Sequence, residues 1–127
     1  MSPQIIHTNK APAAVGPYSQ AVRIDRLVYT AGQIGIDPTT GQMQEGLEAQ
    51  ARQVMANLQA VLEAAGASFG TVVKTTIFIT DMADFSVING IYGAFFVDNP
   101  PARSTVAVAQ LPLGALVEIE AVALCTD

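Results

Sequence analysis

Apolar side chains recur along this chain with two different periods, which separate helices from strands. Over residues 46–65 they recur at spacings of three and four, the pattern of a helix that buries one face. The members of this face are Leu47, Ala51, Val54, Leu58, Val61, Leu62 and Ala65. Gly66 follows and is suited to end the helix in a left-handed conformation. A second apolar stripe predicts a helix over residues 84–96, which Asn99-Pro100-Pro101 stops. Its members are Phe85, Ile88, Tyr92, Phe95 and Phe96.

Runs of β-branched and aromatic residues predict six strands. They cover residues 4–7, 18–24, 27–31, 71–80, 103–109 and 116–125. Asp25-Arg26 predicts a two-residue hairpin turn, and the segment from Asp37 to Gly41 predicts a second turn. The order β-β-β-α-β-α-β-β predicts an α+β fold, in a single domain over residues 1–127.

Two helices can cover only one face of a sheet this large. In the last strand, Val117, Ile119, Ala121 and Ala123 share one face. The opposite face carries Leu116, Glu118, Glu120, Val122 and Leu124. This second face is largely apolar yet holds two carboxylates. We therefore expect it to be buried against another subunit, with a polar site at its edge.

Composition supports an oligomer and argues against nucleic acid or membrane partners. Half of the 127 residues are hydrophobic and 13% are charged, whereas about 25% charged is typical of soluble domains. The formal net charge is -5, and the six basic residues are scattered, so a nucleic-acid surface is not expected. No apolar run approaches the roughly 20 residues that a membrane helix needs. A single cysteine and the lack of a signal peptide lead us to expect a cytoplasmic protein.

The usual catalytic signatures are missing, because one His and one Cys cannot form a metal cluster and no phosphate-binding glycine loop occurs. Arg103 opens a strand without other charges, where it could bind a carboxylate ligand or form a structural salt bridge. One of Glu118 and Glu120 could be a partly buried general base, or both could lie on an exposed strand. Gly32 permits either a close approach of ligand to backbone or a bulge.

Six segments in succession resemble the RidA/YjgF family of reactive-intermediate deaminases. They are Gly16-Pro17-Tyr18-Ser19-Gln20-Ala21, Thr30-Ala31-Gly32-Gln33-Ile34, Val73-Lys74-Thr75-Thr76-Ile77-Phe78, Asn89-Gly90-Ile91-Tyr92, and Pro101-Ala102-Arg103-Ser104 with Val117-Glu118-Ile119-Glu120-Ala121-Val122-Ala123. The resemblance implies a fold similar to Bacillus-type chorismate mutase, with a six-stranded, mostly antiparallel sheet and two helices on one face. It also implies a homotrimer, in which three sheets form a barrel-like core and the sites lie between subunits.

The resemblance further implies an activity: hydrolysis of 2-aminoacrylate, 2-iminopropionate and related enamines or imines to 2-keto acids and ammonia, with no metal or organic cofactor. Carried over residue by residue, Arg103 would clamp the substrate carboxylate. Glu120 would hold and activate the attacking water. Tyr18 would line the cleft, and Asn89 would shape it from the second helix.

The backbone around Gly32 and Thr105 would contact the substrate or the water. Two positions depart from the common family pattern, since Ala31 stands where a serine is usual and Thr105 where a cysteine is frequent. Arg103 and Glu120 are retained, so these changes bear on the substrate range rather than on the reaction.

Two other functions compete with the deaminase. A trimer that only binds a 2-keto acid would use Arg103 in the same way, but it would have no need of a carboxylate base beside an anionic ligand. A ribonuclease, an activity sometimes attached to this family, fits poorly with the acidic charge and the scattered basic residues.

Overall fold

The computed structural model describes residues 2–126, in which six strands and two helices follow one another in the predicted order. The strands are β1 (Gln4–Ile6), β2 (Ala21–Ile24), β3 (Leu27–Thr30), β4 (Val72–Ile79), β5 (Ala102–Ala107) and β6 (Val117–Leu124). The helices are α1 (Leu47–Ala64) and α2 (Phe85–Gly93). The α+β prediction is confirmed. The first and last residues of the predicted domain lie outside the described residues.

All six strands form one sheet in the order β1-β2-β3-β6-β4-β5, so β1 and β5 are its edges. Every neighbouring pair is antiparallel except β4 and β5, which are parallel and joined through α2. The predicted hairpin turn is confirmed, because Ile24 pairs with Leu27 across Asp25-Arg26. Asp25 has a positive φ of 55°, a conformation that aspartate tolerates better than most residues.

The core lies between the sheet and the helices. α1 packs on β3 and β6, and α2 packs against α1. From the sheet, Val117, Ile119, Ala121 and Ala123 are all buried, as the alternation in the last strand predicts. From α1, the buried side chains include Met55, Leu58, Val61 and Leu62. Complete burial of an aliphatic side chain of this size contributes about 1.5–3 kcal/mol, so this single layer accounts for much of the stability.

The face of the sheet opposite the helices is uncovered and apolar, as predicted. Its exposed members include Ile5, Tyr29, Val106 and Leu124, whose relative exposures are 62, 47, 42 and 45%. The register places Val22, Phe78, Glu118 and Glu120 on this same face. We call it the open face. No element among residues 2–126 covers it, which leaves a large apolar surface available to a further chain.

The predicted helix bounds need correction at one end. α1 ends as predicted, with Gly66 at a φ of 84° and the amide of Ala67 bonded to the carbonyl of Leu62 at 2.9 Å. α2 ends at Gly93 rather than at residue 96, because the amides of Phe95 and Phe96 bond three residues back and tighten the last turn. Neither helix of the described chain is long and apolar enough to cross a membrane.

Candidate active site

A cavity of about 460 Å³ opens where β3 ends and β6 begins. We call it the loop cavity. Its walls come from the loop before β2, from the segment Ala31 to Ile36, from the turn Pro112-Leu113 and from Glu118. Two residues predicted to bind substrate, Tyr18 and Gly32, lie in these walls together with Glu118. A cavity of this size is typical of sites for small molecules, which occupy roughly 300–1,000 Å³.

Gly32 lies in a bulge that brings the backbone against a carboxylate. Tyr29 pairs with Val122, but Gln33 pairs with Ile119, so the segment after β3 carries one residue more than β6. At Gly32 a Cβ atom would overlap the carboxylate of Glu118. Glycine at this position therefore leaves room for the close approach of Glu118, whose carboxylate a larger residue would displace.

The carboxylate of Glu118 is placed to act as a base. Burial raises its pKa above the ordinary value of 4.5, and the negative charge of Glu120 raises it further. Within the described chain the carboxylate of Glu118 accepts no hydrogen bond, so its lone pairs remain available to a water molecule or a ligand. A raised pKa makes a carboxylate a stronger base, which suits proton abstraction from water near neutral pH.

Buried amide side chains hold the walls of the loop cavity, and the sequence analysis missed them. Gln20 is 3% exposed; its side chain accepts from the amide of Thr8 and donates to the carbonyl of Pro12, at 2.7 and 2.8 Å. Asn57 is completely buried in α1 and donates to the carbonyls of Ile34 and Ile36, at 3.1 and 2.9 Å. The available signal was the presence of polar residues within otherwise apolar stretches, since buried polar groups are normally hydrogen-bonded.

Arg103 lies on β5 within a second group of predicted residues, the arginine cluster. Its Nη1 donates to Oδ1 of Asn89 at 2.7 Å, and its guanidinium lies 5.5 Å from the ring centre of Phe85 and 5.1 Å from that of Tyr92. No carboxylate within residues 2–126 forms an ion pair with it. Neutral groups thus hold the guanidinium of Arg103 in place. Its remaining N–H groups can bind a planar anion.

Tyr92 and Thr105 complete the arginine cluster. Tyr92 is buried, as its place in the apolar stripe predicts, and its hydroxyl lies 2.7 Å from Oγ1 of Thr75. Burial raises the pKa of Tyr92, while the hydrogen bond to Thr75 and the charge of Arg103 act in the opposite direction. Oγ1 of Thr105 is buried and has no hydrogen-bond partner in the described part of the chain. A buried hydroxyl of this kind normally has a partner, so it marks a place for a ligand or a water molecule.

Glu120, the predicted base, lies elsewhere. It borders a depression of about 200 Å³ on the open face, with Tyr29, Lys74 and Thr76 among its neighbours. The structure therefore does not bring Glu120 together with Tyr18 and Gly32. Glu118, two residues earlier on the same face of β6, has that position.

The loop cavity and the arginine cluster are separate within one chain. Arg103 pairs with Thr75 and points to the helix side of the sheet, whereas Glu118 pairs with Phe78 on the open face. Strand β4 lies between them. Within residues 2–126 the carboxylate of Glu118 and the guanidinium of Arg103 therefore lie in separate places.

Comparison with known proteins gives the family. The model of the family described as endoribonuclease L-PSP matches residues 8–125. A protein of Mus musculus named 2-iminobutanoate/2-iminopropanoate deaminase is 50% identical over 122 residues, which cover 95% of this chain and 90% of that protein. The chain belongs to the RidA/YjgF family.

Solved structures agree with this RidA/YjgF assignment. RidA from an Antarctic Psychrobacter species has a TM-score of 0.93 and 50% identity, covering 95% of this chain and 98% of that one. The crystal structure of Escherichia coli TdcF with bound serine has a TM-score of 0.93 and 44% identity, covering 97% and 99%. The resemblance of the six sequence segments to the RidA/YjgF family is thus confirmed.

Proposed function

We propose that this RidA/YjgF protein is a hydrolase that converts 2-imino acids and their enamine tautomers, such as 2-iminopropanoate and 2-aminoacrylate, to 2-keto acids and ammonia. The observation that carries the proposal is Glu118, a half-buried carboxylate with a raised pKa and no internal partner, in a cavity suited to a small molecule. The 2-iminobutanoate/2-iminopropanoate deaminase of Mus musculus, at 50% identity, supports the same reaction.

The chemistry needs only a fixed substrate, a positioned water and one acid/base group. Arg103 binds the substrate carboxylate with its unused N–H groups and so fixes the imine carbon. Glu118 takes a proton from the water as the water oxygen bonds to that carbon, and passes this proton to the imine nitrogen as the C=N π bond opens. In the resulting carbinolamine, Glu118 moves the hydroxyl proton to the amine nitrogen, the C–N bond breaks and ammonia leaves. The 2-keto acid remains, and Glu118 is again ionised. No step requires a metal or an organic cofactor.

We assign the role of base to Glu118 rather than to Glu120, which the sequence analysis favoured. Glu118 contacts Gly32 and shares the loop cavity with Tyr18, whereas Glu120 faces a separate depression beside Lys74. The function of Glu120 in this account is electrostatic, because its charge adds to the raised pKa of Glu118.

A complete site needs more than one copy of the chain. We propose a homotrimer with a barrel-like core similar to that of Bacillus-type chorismate mutase, in which the open faces pack together. The loop cavity of one copy then meets the arginine cluster of the next at each of the equivalent interfaces. β5 is an edge strand, so the arginine cluster is accessible to a neighbouring copy.

The remaining predicted residues have supporting roles. Asn89 fixes one nitrogen of the guanidinium of Arg103, and this orients the other nitrogens towards the substrate. Tyr18 and the backbone at Gly32 border the reacting atoms. Thr105 offers an unpaired hydroxyl two residues from Arg103 on the same strand face. The cytoplasmic location and the absence of nucleic-acid and membrane partners stay predictions from the sequence.

Two alternatives have less support. Binding of a 2-keto acid without catalysis would use Arg103, but a carboxylate with a raised pKa and no partner has no purpose beside an anionic ligand. Ribonuclease activity, suggested by the description of the family model, conflicts with a net charge of -5, since RNA binding requires clustered cations.

The deciding experiment generates the imine in place. A threonine or serine dehydratase produces it continuously, and the formation of keto acid is followed with and without this protein. We expect the protein to accelerate the release of keto acid above the spontaneous rate, and the Arg103→Ala variant to lose that acceleration. Equal rates with and without the wild-type protein would contradict the proposed function.

A further inference from the structure

A leucine in an unfavourable conformation lies at the rim of the loop cavity. Leu113 is 69% exposed, and its φ of 57° and ψ of 28° lie in the left-handed region. Only glycine, and to a lesser degree asparagine and aspartate, adopts this region without strain. An exposed leucine at such a position is unfavourable both for the backbone and for hydration. Strain of this kind often marks a residue with a functional contact.

A second exposed apolar residue faces the same cavity from another loop. Val15 is 79% exposed and lines the cavity together with Leu113, and its amide donates a hydrogen bond to the hydroxyl oxygen of Tyr18 at 3.3 Å. Ile34 and Ile36 form the wall behind them. Glu118 and Gly32 supply the polar part of the cavity. The loop cavity therefore has a polar part, where the reaction would occur, and an apolar rim.

The size of the cavity exceeds the need of a three-carbon substrate. Its volume is about 460 Å³, within the roughly 300–1,000 Å³ that ligands of drug size occupy. The side chain of an imine derived from alanine or serine would be too short to reach the apolar rim from Glu118. A longer apolar side chain on the 2-imino acid would cover that rim and remove it from water.

We propose that Leu113 determines specificity, and that the preferred substrates are 2-imino acids with branched aliphatic or aromatic side chains. This inference rests on the proposed function, because it assumes that the reacting imine carbon lies beside Glu118. The side chain of the substrate then extends from Glu118 towards Leu113 and Val15. A reaction that oxidises a large apolar α-amino acid at its Cα–N bond would supply such an imine.

The test compares two imines that differ only in their side chains. An L-amino-acid oxidase generates them from leucine and from alanine, and competition with semicarbazide measures how fast the protein consumes each imine. We expect the wild-type protein to have the higher kcat/KM with the leucine-derived imine. Leu113→Asn keeps a residue that tolerates the left-handed conformation but removes the apolar contact. It should lower the ratio of the two kcat/KM values by roughly tenfold or more.

Two variants serve as controls. Leu113→Met keeps an apolar side chain of similar volume and should keep the ratio. Val97→Asn changes another exposed apolar residue, 79% exposed and outside the cavity, and should leave the ratio unchanged.

The outcomes separate this inference from the proposed function. A ratio that Leu113→Asn leaves unchanged, or a wild-type preference for the alanine-derived imine, would overturn the role of Leu113 while the deaminase stands. An equal loss of activity with both imines, together with a changed mass of the assembly by light scattering, would also overturn it, because Leu113 would then be an assembly contact. A wild-type protein inactive with both imines would instead reject the proposed function itself.

Discussion

At the scale of the residue, the proposed mechanism depends on two glutamates that share one face of β6 but have different surroundings. Glu118 lies against Gly32 in the bulge, where burial opposes its ionisation. Glu120 lies two residues further along β6, beside Lys74 and Thr76. In the proposed mechanism the same type of side chain thus serves as base at residue 118 and as a neighbouring charge at residue 120.

Replacement of the two glutamates by glutamine separates these roles. Glu118→Gln should lose most of the turnover, by a factor of roughly 10²–10⁴, because it removes the general base. Glu120→Gln, its matched control on the same face, should retain most of the activity. Imine hydrolysis by both purified variants is the measurement. An active Glu118→Gln beside an inactive Glu120→Gln would return the catalytic role to Glu120.

The pH dependence of kcat/KM gives an independent check on Glu118. A base must be ionised, so the rate should fall on the acid side as the pH drops through the raised pKa of Glu118, above its ordinary value of 4.5. In Glu120→Gln this acid limb should move to lower pH, because one cause of the raised pKa is gone. If the acid limb does not move, the charge of Glu120 does not affect the pKa of Glu118.

The raised pKa of Glu118 also affects the stability of the fold. The folded chain binds the proton of Glu118 more tightly than the unfolded chain does. Protonated Glu118 therefore adds to the free energy of unfolding. This stabilisation is fully present below pH 4.5 and is lost as the pH rises through the raised pKa. A catalytic carboxylate of this kind thus reduces stability at neutral pH.

The family resemblance predicted Arg103, Tyr18, Gly32 and Asn89 as site residues and Glu120 as the base, whereas the residue pattern alone did not separate Glu118 from Glu120. Residues 118 and 120 point to the same face of a strand, so alternation treats them alike. The bulge at Gly32 distinguishes them, and it depends on the pairing of β3 with β6. That register is a tertiary feature, and nothing local in either strand encodes it.

At the scale of the element, the helix α1 both closes the core and holds the loop cavity. Asn57 lies in its buried face and binds the carbonyls of Ile34 and Ile36. Its own side-chain oxygen accepts from Gln53 at 2.8 Å. One helix position therefore fixes the segment that follows β3.

Asn57→Ala should lower the free energy of unfolding by about 1–3 kcal/mol, because two buried carbonyls lose their donor. Gln59→Ala, two residues along the same helix and exposed, is the matched control and should change stability little. Urea denaturation followed by circular dichroism measures both. If Asn57→Ala unfolds at the same urea concentration as the wild type, the two carbonyls must have found other partners.

The period of the apolar residues was sufficient to predict both helices and all six strands, because burial of one face imposes that period. The exact ends of the helices and strands depend on tertiary contacts, which the period of the apolar residues does not show. β2 begins at Ala21 rather than at residue 18, since Gln20 turns its side chain towards the preceding loop. α2 ends early, yet Phe96 stays buried because its ring packs on Tyr92 at 4.7 Å.

At the scale of the whole molecule, the open face is the surface on which the proposed assembly depends. One sheet runs through all six strands of residues 2–126, so we interpret the chain as a single domain with one side unpartnered. Alternation in the last strand predicted this face, because only two helices were available to cover a sheet. How copies pack on it depends on shape, which the sequence pattern does not show.

The proposed division of the site between copies makes a prediction that an enzyme with its whole site in one chain would not share. Arg103→Ala keeps the loop cavity and Glu118, whereas Glu118→Gln keeps the arginine cluster. Each variant alone should be inactive. A site that takes its cavity from the first variant and its arginine from the second would contain both groups.

The activity of mixed assemblies tests most directly whether each site is shared between two copies of the chain. The two variants carry different affinity tags, are produced together, and are purified through both tags, so that every assembly contains both chains. In a cyclic trimer one of the interfaces then joins an intact cavity to an intact arginine, and we predict about one third of the wild-type rate of imine hydrolysis. Mixed assemblies as inactive as either variant alone would contradict the account, because each site would then lie within one chain.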